Sequence, residues 1–137
     1  ELDEGSNWEG LMTIRHYNLT NCITIVDRNH CMIDGNTEDV MKLEPLADKF
    51  VAFGFHTIVC EGNNIVSLCK AIDEAHKTKD KPTVIVADTI KGVGIKLTSG
   101  NYKWHYGAID EEMAKVAAKD LDEYSAERIA RCGKEFE

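Results

Sequence analysis

Asp27-Arg28-Asn29 follows directly on a β-branched, apolar run, Cys22-Ile23-Thr24-Ile25-Val26. A carboxamide at the carboxyl end of a strand can offer its oxygen to a hard cation. Magnesium wants about six oxygens near ~2.1 Å and takes few of them from protein, the rest from phosphate and water. The same Asp/Asn pair can also be plain turn chemistry, its side chains folding back on the backbone. Trp104-His105 stands in a Gly-flanked loop. A histidine there can move protons near neutral pH or simply be packed or solvated. Glu4 is either an acid favoured by a helix N-terminus or a working carboxylate, and Glu9 is either that or an exposed helical residue. Lys91-Gly92-Val93-Gly94 turns the chain tightly more readily than it cradles a phosphate. His16, His30, His56 and His76 read as structural or exposed, with His30 close enough to the loop after Asp27 to support a ligand there.

The elements that must hold these groups alternate. A helix is expected from about Asn7 to Tyr17, then a strand over Cys22–Asp27, apolar on both faces as in a covered parallel sheet. A polar loop spans about 28–37. Pro45 sits near the first turn of a second helix, where its missing N–H costs nothing, and Gly54 ends it. His56–Cys60 is a second strand, closed by Glu61-Gly62-Asn63. Asn63 or Asn64 can cap a helix to about Lys77, with Ile65, Leu68, Cys69, Ile72 and Ala75 at helical spacing. Pro82 precedes a third strand, Thr83–Ala87. A polar loop then reaches Gly107, and two helical segments are expected from Asp110 onward. Strand–helix alternation implies an α/β unit with a parallel sheet flanked by helices. Ligands of such sheets sit at the carboxyl ends of the strands, here the loops 28–37, 61–63 and 88–107.

Composition narrows the partners. The chain has 137 residues, 43% of them hydrophobic, so it can build one core. Its formal charge of −8, with no Lys/Arg cluster, argues against nucleic acid. No apolar run nears the ~20 residues of a membrane span, and nothing reads as a signal peptide. The five cysteines, Cys22, Cys31, Cys60, Cys69 and Cys132, form no CxxC pair. Cys22 and Cys60 lie in apolar runs where cysteine acts as a small hydrophobe, and a reduced, cytoplasmic setting is the simplest reading. Residue 1 is not Met, and the chain begins inside a motif.

That motif carries a resemblance. Glu1-Leu2-Asp3-Glu4-Gly5-Ser6-Asn7-Trp8-Glu9 is similar to the E-L-x-E-G-x-x-W-E of transketolases, which follows their Gly-Asp-Gly. Asp27-Arg28-Asn29-His30-Cys31-Met32-Ile33-Asp34-Gly35 resembles their D-x-N-x-x-x-I-D-G. Thr37-Glu38, Glu44–Phe50, Ala52–His56, Lys81-Pro82-Thr83 and Thr89–Gly94 continue in order. Trp104-His105 resembles a late W-H-G, with Tyr106 inserted before Gly107. The likeness runs from residue 1 to about 118. It implies that 1–137 is the C-terminal part of a transketolase-type diphosphate-binding domain, a partial thiamine-diphosphate-binding fold, or part of a split N-terminal subunit.

The resemblance also implies roles. Asn29 would ligate Mg2+ (or Ca2+) through its side chain and Cys31 through its carbonyl, with a third ligand, the Asp of Gly-Asp-Gly, expected before Glu1. Ile33 would pack on the thiamine diphosphate, and Gly5 belongs with the cofactor contacts. Glu4 and Glu9 match a proton-relay region at a subunit interface, and His105 an active-site histidine near diphosphate and substrate. The implied reaction moves a two-carbon ketol unit between sugar phosphates, with a pyrimidine-binding domain or subunit completing a homo- or hetero-oligomer. The alternatives are another thiamine-diphosphate enzyme, such as deoxyxylulose-phosphate synthase or dihydroxyacetone synthase, or a catalytically incompetent fragment or scaffold subunit. By itself the chain is expected to be inactive.

Overall fold

The computed structural model describes residues 1–132, the side chain of Cys132 excepted. It divides into two compact units, Glu1–His30 with Thr37–Thr89, and Cys31–Asn36 with the chain from Ile90.

The first unit is built on three parallel strands, β1 (Ile23–Arg28), β4 (His56–Glu61) and β5 (Thr83–Asp88), in the order β1-β5-β4. Pairing runs from Ile23↔Thr83 to Arg28↔Asp88 on one side and from His56↔Thr83 to Glu61↔Asp88 on the other. The central strand reads Thr-Val-Ile-Val-Ala, and all five of these residues are buried. Alternation sends Val84 and Val86 to one face and Ile85 to the other. On the first face they join Leu11 of α1 (Gly5–His16) and Leu46 and Phe50 of α3 (Leu46–Ala52), with Trp8 stacked 5.7 Å from Phe50. On the second face Ile85 meets Ala71 and Ala75 of α4 (Ile65–Lys77). Both faces are thus covered, the condition that an apolar parallel strand requires. Asn64 caps α4, its Oδ1 accepting from the amides of Val66 and Ser67 at 3.0 and 3.2 Å. A short helix, α2 (Thr37–Val40), precedes α3.

The second unit holds a two-stranded antiparallel hairpin, β2 (Cys31–Met32) and β3 (Gly35–Asn36), packed on a 3-10 turn at Tyr102–His105, and a single helix, α5 (Glu111–Cys132). No helix among the described residues is long and apolar enough to cross a membrane.

Three expectations need correction. The loop 28–37 contains the β2–β3 hairpin, invisible to periodicity because each strand is two residues long. The two expected C-terminal segments are one helix, since no Gly or Pro interrupts Glu111–Cys132. The buried stripe of α4 is Leu68, Ala71, Ile72 and Ala75 rather than Ile65 and Cys69. Ile65 is the helix's first residue and is 70% exposed, and Cys69, one residue after Leu68, faces off the stripe.

In β4 the Thr57 hydroxyl is buried with no partner among the described residues. An unmade hydrogen bond of this kind costs about 1–3 kcal/mol. Thr57→Val keeps the β-branched shape and should raise stability by about 1 kcal/mol, read as a higher urea midpoint at unchanged slope. A lowered midpoint would contradict this.

Candidate functional site

Because the three strands run parallel and in register, their carboxyl ends meet on one edge, where Arg28 and Glu61 both pair with Asp88. Side-chain bonds tie this edge together. The Thr89 hydroxyl donates to Oδ1 of Asp27, and Oδ2 of the same carboxylate accepts from Nδ2 of Asn29 at 3.4 Å. Asp27 therefore engages the nitrogen end of the Asn29 carboxamide. The Thr89 amide donates to the Arg28 carbonyl at 3.1 Å. His30 takes up a left-handed backbone (φ 62°), unusual for a residue with a side chain. Its Nε2 pairs with Oδ1 of Asp88 at 2.7 Å. The turn after β4 is pressed on the same edge, the Gly62 amide donating to the Asp88 carbonyl at 2.7 Å. A Cβ on Gly62 would lie 2.9 Å from Ala87 Cβ and nearer still to Thr89 Cγ2, so only glycine fits.

Arg28 is 4% exposed and points into the protein. Its Nε donates to Glu44, Nη1 to Thr37 and Nη2 to Glu38, each at 2.9 Å. Glu44 Oε2 also accepts from the Leu46 amide at 2.8 Å. That backbone bond, and then the Arg28 guanidinium, hold the Glu44 carboxyl below the ordinary glutamate range.

Glu4 is the N-cap residue of α1, but its side chain makes no cap bond. Glu4, Gly5 and Glu9 are all exposed. Glu4 precedes the helix with an extended backbone, and Glu9 lies within its first two turns. A Cβ on Gly5 would meet nothing within 4 Å.

In the second unit Cys31 opens β2, its Sγ 3.8 Å from the Gly100 carbonyl. Ile33 stands at the tip of the hairpin and is 58% exposed. His105 closes the 3-10 turn on which that hairpin packs, its ring edge-on to Tyr106. Asn101 caps the turn by accepting from the Lys103 amide at 3.1 Å. A Cβ on Gly107 would lie 2.9 Å from the Trp104 ring. Gly107 thus keeps its close approach to Trp104, while Tyr106 projects into solvent. Gly92 (φ 62°) closes a turn in which Thr98 Oγ1 donates to the Gly92 carbonyl at 2.8 Å, the tight-turn role read for Lys91–Gly94.

The expected site residues therefore divide. Glu4, Gly5, Glu9 and Asn29 belong to the first unit, and Cys31, Ile33 and His105 to the second. Among the described residues no three His, Cys, Asp or Glu side chains gather into a metal site. A cation here would depend on carboxamide and carbonyl oxygens and on oxygens of its ligand, a donor set that suits Mg2+ or Ca2+. Sequence reasoning missed Arg28, Asp88 and Thr89. Asp88 and Thr89 lie 58 and 62 residues from their partners, and no local pattern announces such bonds.

Glu44→Gln provides a pH test. A depressed folded-state pKa contributes stability that is complete above the ordinary glutamate range and is lost as pH falls through the depressed value. The wild type should exceed Glu44→Gln at pH 7 by no more than about 1 kcal/mol, because the carboxyl is half exposed, and the gap should close in acid. Urea midpoints at pH 7 and at acid pH check this; a pH-independent gap would contradict it.

Known proteins resemble this chain in sequence and in fold. The family described as "Transketolase, thiamine diphosphate binding domain" matches residues 1–126. An apulose-4-phosphate transketolase subunit of Actinobacillus succinogenes is 37% identical over 121 residues, 88% of this chain and 44% of that protein. The 6-deoxy-6-sulfo-D-fructose transketolase subunit SqwG of a Clostridium species is 36% identical over 126 residues, 92% of this chain and 46% of that protein. The chain thus spans under half the length of these curated relatives. The crystal structure of transketolase from Campylobacter jejuni superposes with a TM-score of 0.79 at 29% identity, covering 88% of this chain and 19% of that one.

Proposed function

This chain belongs to the transketolase family, through its thiamine diphosphate binding domain, and we propose that it helps transfer a two-carbon ketol unit between sugar phosphates as one part of a larger assembly. Residues 1–137 are read as the C-terminal part of the diphosphate-binding domain. The observation that carries the proposal is the Asp27–Asn29 arrangement at the carboxyl edge of a parallel sheet, the edge where such sheets take ligands.

Thiamine diphosphate, when bound, supplies the carbanion chemistry that side chains cannot. The residues of this chain bind and orient. The Asn29 carboxamide oxygen and the Cys31 carbonyl would hold Mg2+ (or Ca2+). A third protein oxygen, the Asp of a Gly-Asp-Gly, would come from outside residues 1–137. Gly5, with open space at its Cα, would lie along the cofactor. Ile33 would offer its exposed side chain as an apolar support. His105 would donate a hydrogen bond to diphosphate or substrate oxygen, and Glu4 and Glu9 would relay protons where another protomer covers α1.

Two relatives carry "subunit" in their names. This supports a partner that brings the pyrimidine-binding domain, in a homo- or hetero-oligomer. Their names also specify a phosphorylated and a sulfonated sugar, which supports an anionic sugar, here a sugar phosphate, as substrate.

Calorimetry tests the reading. The chain alone should bind thiamine diphosphate with Mg2+ more weakly than micromolar and turn over no sugar phosphate. The complete assembly should bind it tightly and with a Mg2+ requirement, and Asn29→Ala should lose ~10–100-fold in metal affinity. Micromolar binding by the chain alone would contradict the need for a partner, and an unaffected Asn29→Ala would contradict the metal role.

A further inference from the structure

Arg28 lies one residue before the proposed metal ligand, and nothing in the binding roles above uses it. It ends β1 as a buried cation whose planar fork makes three bonds of 2.9 Å, to Thr37, Glu38 and Glu44. All three acceptors belong to the segment that follows the loop 29–36. They are themselves anchored to backbone. Glu38 Oε1 accepts from the Leu43 amide at 3.1 Å, and Glu44 Oε2 from the Leu46 amide. Where the loop closes, the Thr37 amide donates to the His30 carbonyl at 3.0 Å. On its backbone side Arg28 accepts from the Thr89 amide. The residue immediately before Asn29 is thus fixed through both its side chain and its carbonyl.

We infer that Arg28 is a positioning residue for the cation site, setting the place of the Asn29 carboxamide by clamping the closing end of its loop to the end of β1. This deepens the proposed function and rests on Asn29 being a metal ligand. Lysine could keep the charge, but a flexible point cation cannot reproduce a three-acceptor fork. With the clamp loosened, Asn29 would wander over a larger volume. Magnesium demands near-ideal octahedral geometry at about 2.1 Å, whereas calcium accepts 6–8 oxygens at about 2.3–2.6 Å in flexible arrangements. Loss of positioning should therefore penalise Mg2+ more than Ca2+. Loss of fold alone would penalise both equally.

The test uses the full-length protein in its complete assembly, with thiamine diphosphate binding titrated against Mg2+ and separately against Ca2+, and the thermal midpoint recorded for each variant. Arg28→Lys should raise the Mg2+ concentration for half-maximal cofactor binding by about 10–100-fold, with a clearly smaller rise for Ca2+. Glu44→Gln, which keeps an acceptor for the Leu46 amide, should shift Mg2+ in the same direction by less, and it decides the matter if Arg28→Lys does not fold. Unchanged demand for both cations, or equal shifts for both, would overturn the inference. Asn29→Ala separates it from the functional reading beneath it. If Asn29→Ala raises the Mg2+ demand while Arg28→Lys leaves it unchanged, only the positioning role fails; if Asn29→Ala also leaves it unchanged, the metal-ligand reading itself fails.

Discussion

Everything else in the first unit is arranged around β5, held between β1 and β4. Five consecutive buried residues, Thr83 to Ala87, can be accommodated only where both edges are hydrogen-bonded and both faces are covered. The strand meets this with Val84 and Val86 against Leu11 and Phe50 on one face, and Ile85 against Ala71 and Ala75 on the other. Its carboxyl end then becomes the reference point for the edge. Asp88 and Thr89 reach His30 and Asp27 on the β1 side, and the Asp88 carbonyl receives Gly62 on the β4 side. Asn29 is tied to that edge by way of Asp27 and Thr89.

Charge is the physical reason for proposing a cation at this edge. Near the carboxyl ends of the strands stand Asp27, Glu61 and Asp88, within a chain of formal charge −8. An anionic diphosphate brought to that edge meets like charges, and a bound divalent cation becomes the largest local charge and reverses the balance. Among these acids Asp27 is already engaged with Thr89 and Asn29, and Asp88 with His30. Neutral oxygens are therefore the suitable donors, which is the chemistry that a carboxamide and a main-chain carbonyl provide.

What was legible in the sequence followed physical range. The β-branched runs at Ile23, His56 and Thr83, the Asn64 cap and the Gly-rich turn at Lys91–Gly94 are local signals, and the structure bears them out. The D-x-N segment was legible as strand-end chemistry. Arg28 was not. It was read only as the first residue of a polar loop, and only the fold shows its side chain buried against Glu38 and Glu44. The β2–β3 hairpin escaped because two-residue strands have no period to read. Ile65 was misjudged because helical spacing fixes a stripe's angle but not where along the helix burial begins.

The proposed function stands or falls on whether the end of β1 presents Asn29 to a cation that carries the cofactor's diphosphate. A crystal structure of the complete assembly with thiamine diphosphate and Mg2+ would decide it. The cation should lie about 2.1 Å from the Asn29 carboxamide oxygen, with diphosphate oxygens among its other ligands and the Asp27–Asn29 contact retained. A cation coordinated without Asn29, or a diphosphate bound away from the carboxyl edge of β1 and β5, would contradict it.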